Sequence, residues 1–288
     1  MKEATLDDLD VINNFYKMSG SKLGYNSFVG TYATCLGHKE NLYYEIIGDI
    51  CFYIIGDPAD IERVVVPLTL GAQPHKGAFA IVKYCKENDI SYGTYIDSSF
   101  VDYFKSLCEI HPETESEHEV IYPVERFRTF KNIDAQKRRA NIFLRNNNYT
   151  CVPFHPSLKN DVMRIVDDWE KKSIHPTNLC DNIITEFFSD FYNQLPIKGF
   201  VLYIDKKPVA FLFGEFINNK TFVLYIVKGD RAVIGVYQAL YHLVCSSEDL
   251  RDIDFINGTN LTDIEGLKES KLRLKPLKII TPWELVIS

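Results

Sequence analysis

Phe200-Val201-Leu202-Tyr203-Ile204, Asp205-Lys206-Lys207-Pro208 and Val209-Ala210-Phe211-Leu212-Phe213-Gly214-Glu215-Phe216 follow one another without a gap, and their reading decides the fold. The first run is too short for a helix and is built of strand formers. The polar tetrapeptide turns the chain into a second run of the same kind. Asn218-Asn219-Lys220 makes another turn before a third run, Thr221-Phe222-Val223-Leu224-Tyr225-Ile226-Val227. Short apolar runs separated by such turns predict a three-strand meander. After Lys228-Gly229-Asp230-Arg231 the period changes: Val233, Tyr237, Leu240, Tyr241 and Val244 recur at three and four residues, as on one helix face. The functional site is expected where the meander feeds this helix through a charged, glycine-containing loop.

Working outward, Asn148 to Phe154 reads as a strand, and Leu158 to Lys171 and Ile183 to Tyr192 as helices. Asp252 to Ile256 reads as a strand, Ile264 to Leu274 as a helix and Leu277 to Val286 as terminal strands. The first half is built alike. A helix opens at Thr5, Asp7 and Asp8; residues to about Lys39 show no clean period. Leu42 to Ile47 and Ile50 to Ile55 form a tight hairpin around Gly48-Asp49. Val64 to Leu68 is a strand with Pro67 near its edge or end. A loop from Gly71 to Gly77, a helix around Phe79, Val82 and Lys86, and a strand at Tyr92 to Ile96 follow. Phe100 to Ile110 reads as amphipathic and His118 to Pro123 as a short strand. The halves share architecture and no residue-level identity. The expectation is an α/β chain of two similar domains, residues 1–125 and 148–288, each a mixed central sheet flanked by helices, joined by a basic helix at 126–147.

Composition bounds the function. With 288 residues, 46% of them apolar, the chain has material for packed cores, and no segment approaches the length of apolar run that a membrane helix needs. The acidic start, Met1 to Asp8, lacks a signal-peptide core, so a cytoplasmic location is expected. Seven scattered cysteines without CxxC spacing predict reduced, buried thiols and no metal site. The net charge of −7 conceals a +6 segment from Arg126 to Arg145 and a +4 segment from Lys268 to Lys278. Two basic segments in an acidic chain point to a local anionic ligand, such as a phosphate-bearing small molecule or an RNA end. They do not point to DNA, and no helix-turn-helix or zinc signature is visible.

Three places carry a family resemblance. Tyr122-Pro123-Val124 followed by Gln136-Lys137-Arg138-Arg139 is similar to a strand followed by a Lys-Lys-Arg-Asn helix. Phe222 to Lys228, then Gly235-Val236-Tyr237-Gln238, is similar to a strand, a Lys and a Gly-Ala-Tyr-Gln segment. Ile264-Glu265-Gly266-Leu267-Lys268-Glu269-Ser270-Lys271-Leu272 is similar to a Glu-Gly-Leu-Arg-Lys-Ala-Lys-Leu ending. In this order they resemble the phosphatidylglycerol lysyltransferase C-terminal-domain family, a relative of the peptidoglycan aminoacyltransferases. The resemblance implies two tandem acyl-CoA N-acyltransferase-like domains and transfer of an aminoacyl group from aminoacyl-tRNA. It also implies that Lys271 contacts a donor or acceptor phosphate, and it admits peripheral membrane contact. The chain departs from the family at Val227, Thr259 and Leu261, where acids are expected, and at Arg139, where Asn is expected.

The candidate residues have competing readings. Lys137, Arg138 and Arg139 are adjacent, so a helix spreads them over about 200°. They form either a solvated face or, for one or two of them, a phosphate site. Lys228, Arg231, Gly235 and Gln238 surround the loop that would present backbone N–H groups to an acyl-CoA pyrophosphate. Arg231 precedes Gly235 by four residues and Tyr237 takes the place of a small residue, so acetyl-CoA is expected to bind weakly or not at all. Lys271, one turn from Leu267, lies either at a cleft edge or in solvent. Glu215 and Tyr237 are the candidates for proton transfer; His242 is read as structural. The leading expectation is an acyl- or aminoacyltransferase acting on an amine or hydroxyl. The alternatives are a non-catalytic anion-binding module on the same fold, favoured by the missing acids, and an ordinary acetyl-CoA-dependent N-acetyltransferase.

Overall fold

A computed structural model describes residues 1–57, 63–171 and 179–288. The first part of the chain carries β1 (Lys2–Glu3), α1 (Leu9–Ser19), α2 (Phe28–His38), β2 (Leu42–Ile47), β3 (Ile50–Ile55) and β4 (Val64–Thr69). Next come α3 (Pro74–Glu87), β5 (Tyr92–Ile96), α4 (Val101–Phe104), β6 (Glu109–Pro112) and β7 (Glu119–Pro123). Then follow α5 (Glu125–Thr129), α6 (Asp134–Asn146), β8 (Tyr149–Pro153), α7 (Lys159–Lys171) and α8 (Leu179–Asp190). The meander is β9 (Ile197–Ile204), β10 (Lys207–Asn218) and β11 (Thr221–Gly229), and it leads to α9 (Val236–Cys245). β12 (Phe255–Asn260), α10 (Glu265–Arg273), β13 (Lys278–Ile280) and β14 (Trp283–Val286) complete the chain.

These elements build two compact units. One comprises Met1–Glu119, Asn260–Thr262 and Ile280–Ser288; the other comprises Val120–Thr259 and Asp263–Ile279. In the first unit, Ile50, Phe52 and Ile54 of β3 pack with α3 and α4, while Cys51 and Tyr53 pack with α1 and α2. A strand covered on both faces reads as the unbroken apolar run seen in the sequence. Phe28–His38, where no period is legible, is a helix capped by the Ser27 hydroxyl, which accepts from the Gly30 N–H. Of Phe100 to Ile110 a single helical turn forms, and Glu109–Pro112 becomes a strand because β14 pairs with it. The basic segment 126–147 is two helices, not one: Phe130 (φ 51°) and Asn132 (φ 66°) break it, and both pieces pack on α9 inside the second unit.

The sheets run β1-β2-β3-β4-β5-β14-β6 and β8-β9-β10-β11-β12-β7-β13. Position by position they are the same sheet, and each takes its sixth strand from the other half of the sequence. Both contain a parallel neighbour pair, β4 with β5 and β11 with β12, bridged by the crossover helices α3 and α9. Both pairs stay in register only briefly. β4 and β5 meet at Val64–Tyr92 and Val65–Gly93, and β11 and β12 at Thr221–Phe255 to Val223–Asn257. Pro67 therefore lies in an internal strand, beyond the point where β4 leaves β5, so its missing N–H breaks no bond to that neighbour.

β11 also carries a bulge: Phe213 faces Ile226, Gly214 faces Leu224, and Tyr225 is the extra residue. A Cβ on Gly214 would lie 2.2 Å from the Val223 carbonyl oxygen, so only glycine fits beside the bulge. The result is the α/β architecture that the periodicity predicts, two seven-stranded mixed sheets flanked by helices.

Candidate functional site

In the second unit, β11 and β12 separate after Val223 and Asn257; Lys228 stands near the end of β11 and the Lys271 ammonium at the end of β12. On β11, Lys228 is 8% exposed. Its neighbour across the pair is Phe211, which touches Phe213, and Phe213 packs on Phe188 of α8. Alternation thus turns Lys228 toward α7 and α8. There its ammonium pairs with the Asp181 carboxylate and lies 3.5 Å from the ring centroid of Trp169. The Arg231 guanidinium lies 4.6 Å from the same centroid. Two cations on one indole make an electrostatically tight corner. Neither Trp169 nor Asp181 is singled out in the sequence, where Trp169 passes for one more apolar residue of an amphipathic helix. The available signal is its setting, Asp167-Asp168-Trp169-Glu170, at the polar edge of that helix.

The loop after Lys228 is closed on itself. Asp230 Oδ1 accepts from the Ala232 N–H at 3.1 Å, and the Asp230 carbonyl accepts from the Val233 N–H at 3.0 Å. Gly235 caps α9 with φ 79°, and a Cβ there would sit 2.1 Å from the Arg139 carbonyl oxygen. α6 therefore presses its backbone against the start of α9, which explains the glycine. The Tyr237 hydroxyl accepts from the Gly229 N–H at 3.2 Å and donates to the Gly229 carbonyl at 3.1 Å. Burial raises its phenol above the ordinary value, with Trp169 and Arg231 opposing. Gln238 Nε2 donates to Gln136 Oε1 at 2.7 Å. Tyr237 and Gln238 thus brace α9 against the loop and against α6.

Glu215 sits on β10, 3% exposed, and accepts from the Tyr225 hydroxyl at 2.7 Å. The bulge supplies that tyrosine, whose side chain is half-buried. Lys271 Nζ donates to the Gly258 carbonyl at 2.8 Å and to Thr259 Oγ1 at 3.4 Å, so the ammonium lies at the end of β12. Thr259 holds φ 59°, a left-handed conformation uncommon for a β-branched residue, and its N–H donates to Asn257 Oδ1 at 2.8 Å. Lys137 and Arg138 are exposed on α6, where with Asp134, Asn141 and Arg145 they line an open depression of about 410 Å³. Lys271 is not part of that lining, although the two basic segments touch where Lys275 Nζ donates to the Asn132 carbonyl at 2.8 Å. Arg139 contributes its backbone to the α6–α9 junction while its side chain is exposed.

Among the described residues no His, Cys, Asp and Glu group could hold a metal, and no helix is long and apolar enough to cross a membrane. All seven cysteines are free thiols. Burial pushes Cys35, Cys51, Cys85 and Cys245 up to about 12.

Comparison with known proteins adds the wider frame. The model of a family described as phosphatidylglycerol lysyltransferase, C-terminal, matches residues 26–283. A search of curated proteins finds no match. Among solved structures, a conserved protein of unknown function from Bacteroides thetaiotaomicron VPI-5482 superposes with a TM-score of 0.85 at 18% identity, covering 100% of this chain and 99% of that one. The L-PGS of Bacillus licheniformis gives a TM-score of 0.68 at 13% identity, covering 99% and 92%. A tandem GNAT protein from the clavulanic acid biosynthesis pathway gives 0.51 at 8% identity, covering 100% and 98%. At these identities the structures show the fold, a tandem of acyl-CoA N-acyltransferase-like domains.

Proposed function

The chain belongs to the phosphatidylglycerol lysyltransferase C-terminal family, and from that premise we propose that it transfers an aminoacyl group from aminoacyl-tRNA to an amine or hydroxyl acceptor. The observation that carries the choice of donor is the state of the α9 N-terminus. An acyl-CoA pyrophosphate needs unclaimed N–H groups and positive potential there. Here Asp230 claims two loop N–H groups with its carboxylate and carbonyl, and the Arg139 carbonyl crowds Gly235. The exposed cations of α6 offer an RNA end its phosphate contacts instead.

The chemistry asks little of any one residue. The acceptor attacks the aminoacyl ester carbon, the ester C–O bond breaks, and the released ribose oxygen takes up a proton. Positioning supplies most of the rate. In this reading Tyr225 passes a proton from the acceptor to Glu215, which its hydroxyl already meets. Tyr237 holds the loop, and Lys271 meets a phosphate at the end of β12. An aminoacyl-tRNA donor places the reaction in the cytoplasm. The competing reading is a non-catalytic anion-binding module, favoured by Val227, Thr259 and Leu261 standing where acids are expected; Leu261 is fully buried. The test is transfer of a labelled aminoacyl group from tRNA to lipid and small amine acceptors. Transfer lost in Lys271→Ala supports the transferase. Thermal stabilisation by phosphate-bearing ligands with no transfer from any donor selects the module.

A further inference from the structure

Among the described residues, three buried side-chain oxygens on α7 and α8 have no partner: Glu170 Oε1, Asn182 Oδ1 and Thr185 Oγ1. They belong to one cluster. Asn182 Nδ2 donates to the other Glu170 oxygen at 2.5 Å, which fixes the amide with its carbonyl oxygen unused. Thr185 follows Asp181 by one helical turn, so the two share a face of α8, and Thr185 is fully buried. Asp181 beside them is already ion-paired, through Oδ2, with the Lys228 ammonium. Buried polar groups are nearly always paired, and each orphan costs on the order of 1–3 kcal/mol, so three together call for an explanation.

The chemistry of the orphans narrows it. One is a carboxylate oxygen, one an amide oxygen and one a hydroxyl that can accept, so the missing group donates hydrogen bonds. The place is also short of positive charge. Burial holds the Glu170 carboxyl above the usual carboxylate range, and Asp181 and Asp167 add repulsion; the Asn182 hydrogen bond and Lys228 oppose this. Two carboxylates thus face one resident ammonium. The Lys228 and Asp181 side chains keep 10% and 19% of their exposure, so solvent reaches the site.

We propose that this place between α7 and α8 binds a primary ammonium group, and that it receives the free α-ammonium of the donor's aminoacyl group. The second clause rests on the aminoacyl-transfer reading. Glu215 projects from the same sheet face as Phe213, against which α8 packs, so an ammonium held here lies on the side of the sheet that carries the Glu215–Tyr225 pair. A free α-ammonium is also what an aminoacyl ester has and an acetyl thioester lacks. The site therefore sorts donors by a chemical group, and three N–H bonds to fixed oxygens make a demanding filter.

The probe is glycinamide, with N-acetylglycinamide as its uncharged counterpart, titrated into the whole chain and followed by calorimetry and thermal shift. Glycinamide is expected to bind and stabilise, the N-acetyl compound to do neither, and Glu170→Gln to weaken binding by at least about tenfold. Thr185→Val, which keeps shape and removes the orphan hydroxyl, should weaken it as well and serves if Glu170→Gln fails to fold. Absence of glycinamide binding in the millimolar range, equal binding of the N-acetyl compound, or parent-like titration of both variants would overturn the site. Transfer separates the two clauses. Equal rates from an aminoacyl-tRNA and its N-acetylated form would overturn the donor role while the transferase stands. Selective glycinamide binding with no transfer from any tRNA would uphold the ammonium site and sink the transferase.

Discussion

Replacing Lys228 by Met is the sharpest perturbation of the electrostatic corner. Met keeps most of the apolar stem and removes the ammonium from both Asp181 and the Trp169 ring. Breaking a buried ion pair from one side costs about 3–5 kcal/mol, because a carboxylate is left without its counter-charge. Asp181 retains 19% side-chain exposure, so water covers part of that loss, and the lower end applies. The cation–π contact adds about 0.5–2 kcal/mol. A total of about 4 kcal/mol corresponds to a fall in Tm of roughly 8–16 °C for a unit of this size. The chain has two tryptophans, Trp169 in the second unit and Trp283 in the first, so a Trp283→Phe background makes fluorescence report the second unit alone. In that background Asp181→Asn and the double variant complete a cycle. The double variant should be less destabilised than the sum of the singles by about 1–3 kcal/mol, since the second change removes the stranded charge. Additivity within about 0.5 kcal/mol would show that the pair is not coupled and that the corner is held by packing alone.

Four further expectations follow from named groups. Gly235→Ala must place a Cβ 2.1 Å from the Arg139 carbonyl in a left-handed conformation; a drop of about 2–4 kcal/mol in the Trp169-reported urea transition is expected, and an unchanged midpoint would refute the close α6–α9 approach. Acetyl-CoA should give no low-micromolar binding by calorimetry, and such binding would promote the acetyltransferase reading. Cys35, Cys51, Cys85 and Cys245, held near 12, carry about one thiolate in ten thousand at pH 8, so iodoacetamide should leave them unmodified in the native chain and label them in urea, as read by peptide mass. Glu113 is raised above the ordinary 4.5 by burial, against hydrogen bonds from Thr94 and the Tyr95 N–H, so its stabilising contribution is whole below that value and is lost as pH rises through the folded one; Glu113→Gln should flatten that fall in the first unit, and an identical pH profile would sink the assignment.

Local pattern carried far in this chain. The hairpin at Leu42 to Ile55, the strand at Tyr92 to Ile96 and the meander were readable because turn residues bracket short apolar runs. The helix at Phe28 to His38 was not, because its buried face holds Gly30, Thr31, Ala33 and Gly37 alongside Phe28 and Val29, which blurs any period. The break in the basic segment was hidden too, since Phe130 and Asn132 take left-handed angles without a glycine to announce them. At the site, the sequence marked Lys228, Gly235, Tyr237 and Lys271 by motif, and each has a definite partner. It could not mark Asp181, Glu170 or Thr185, whose meaning arises from the facing of two helices against a sheet and not from spacing along the chain.

The placement of β14 between β5 and β6 has a consequence for how the protein is made. Leu285 is fully buried and joins the core built by β3, β4 and α3, so that core lacks a central piece until residues near the end of the described chain have emerged from the ribosome. At about 5–20 residues per second, the interval between synthesis of β6 and of β14 is roughly ten to thirty seconds. Throughout it the nascent first sheet presents two unpaired inner edges where a finished sheet has none. The usual order, in which an N-terminal unit folds while the rest is still being translated, is therefore closed to this chain. Its first half is obliged to wait for its last strand, and during the wait it is a natural client for a holding chaperone.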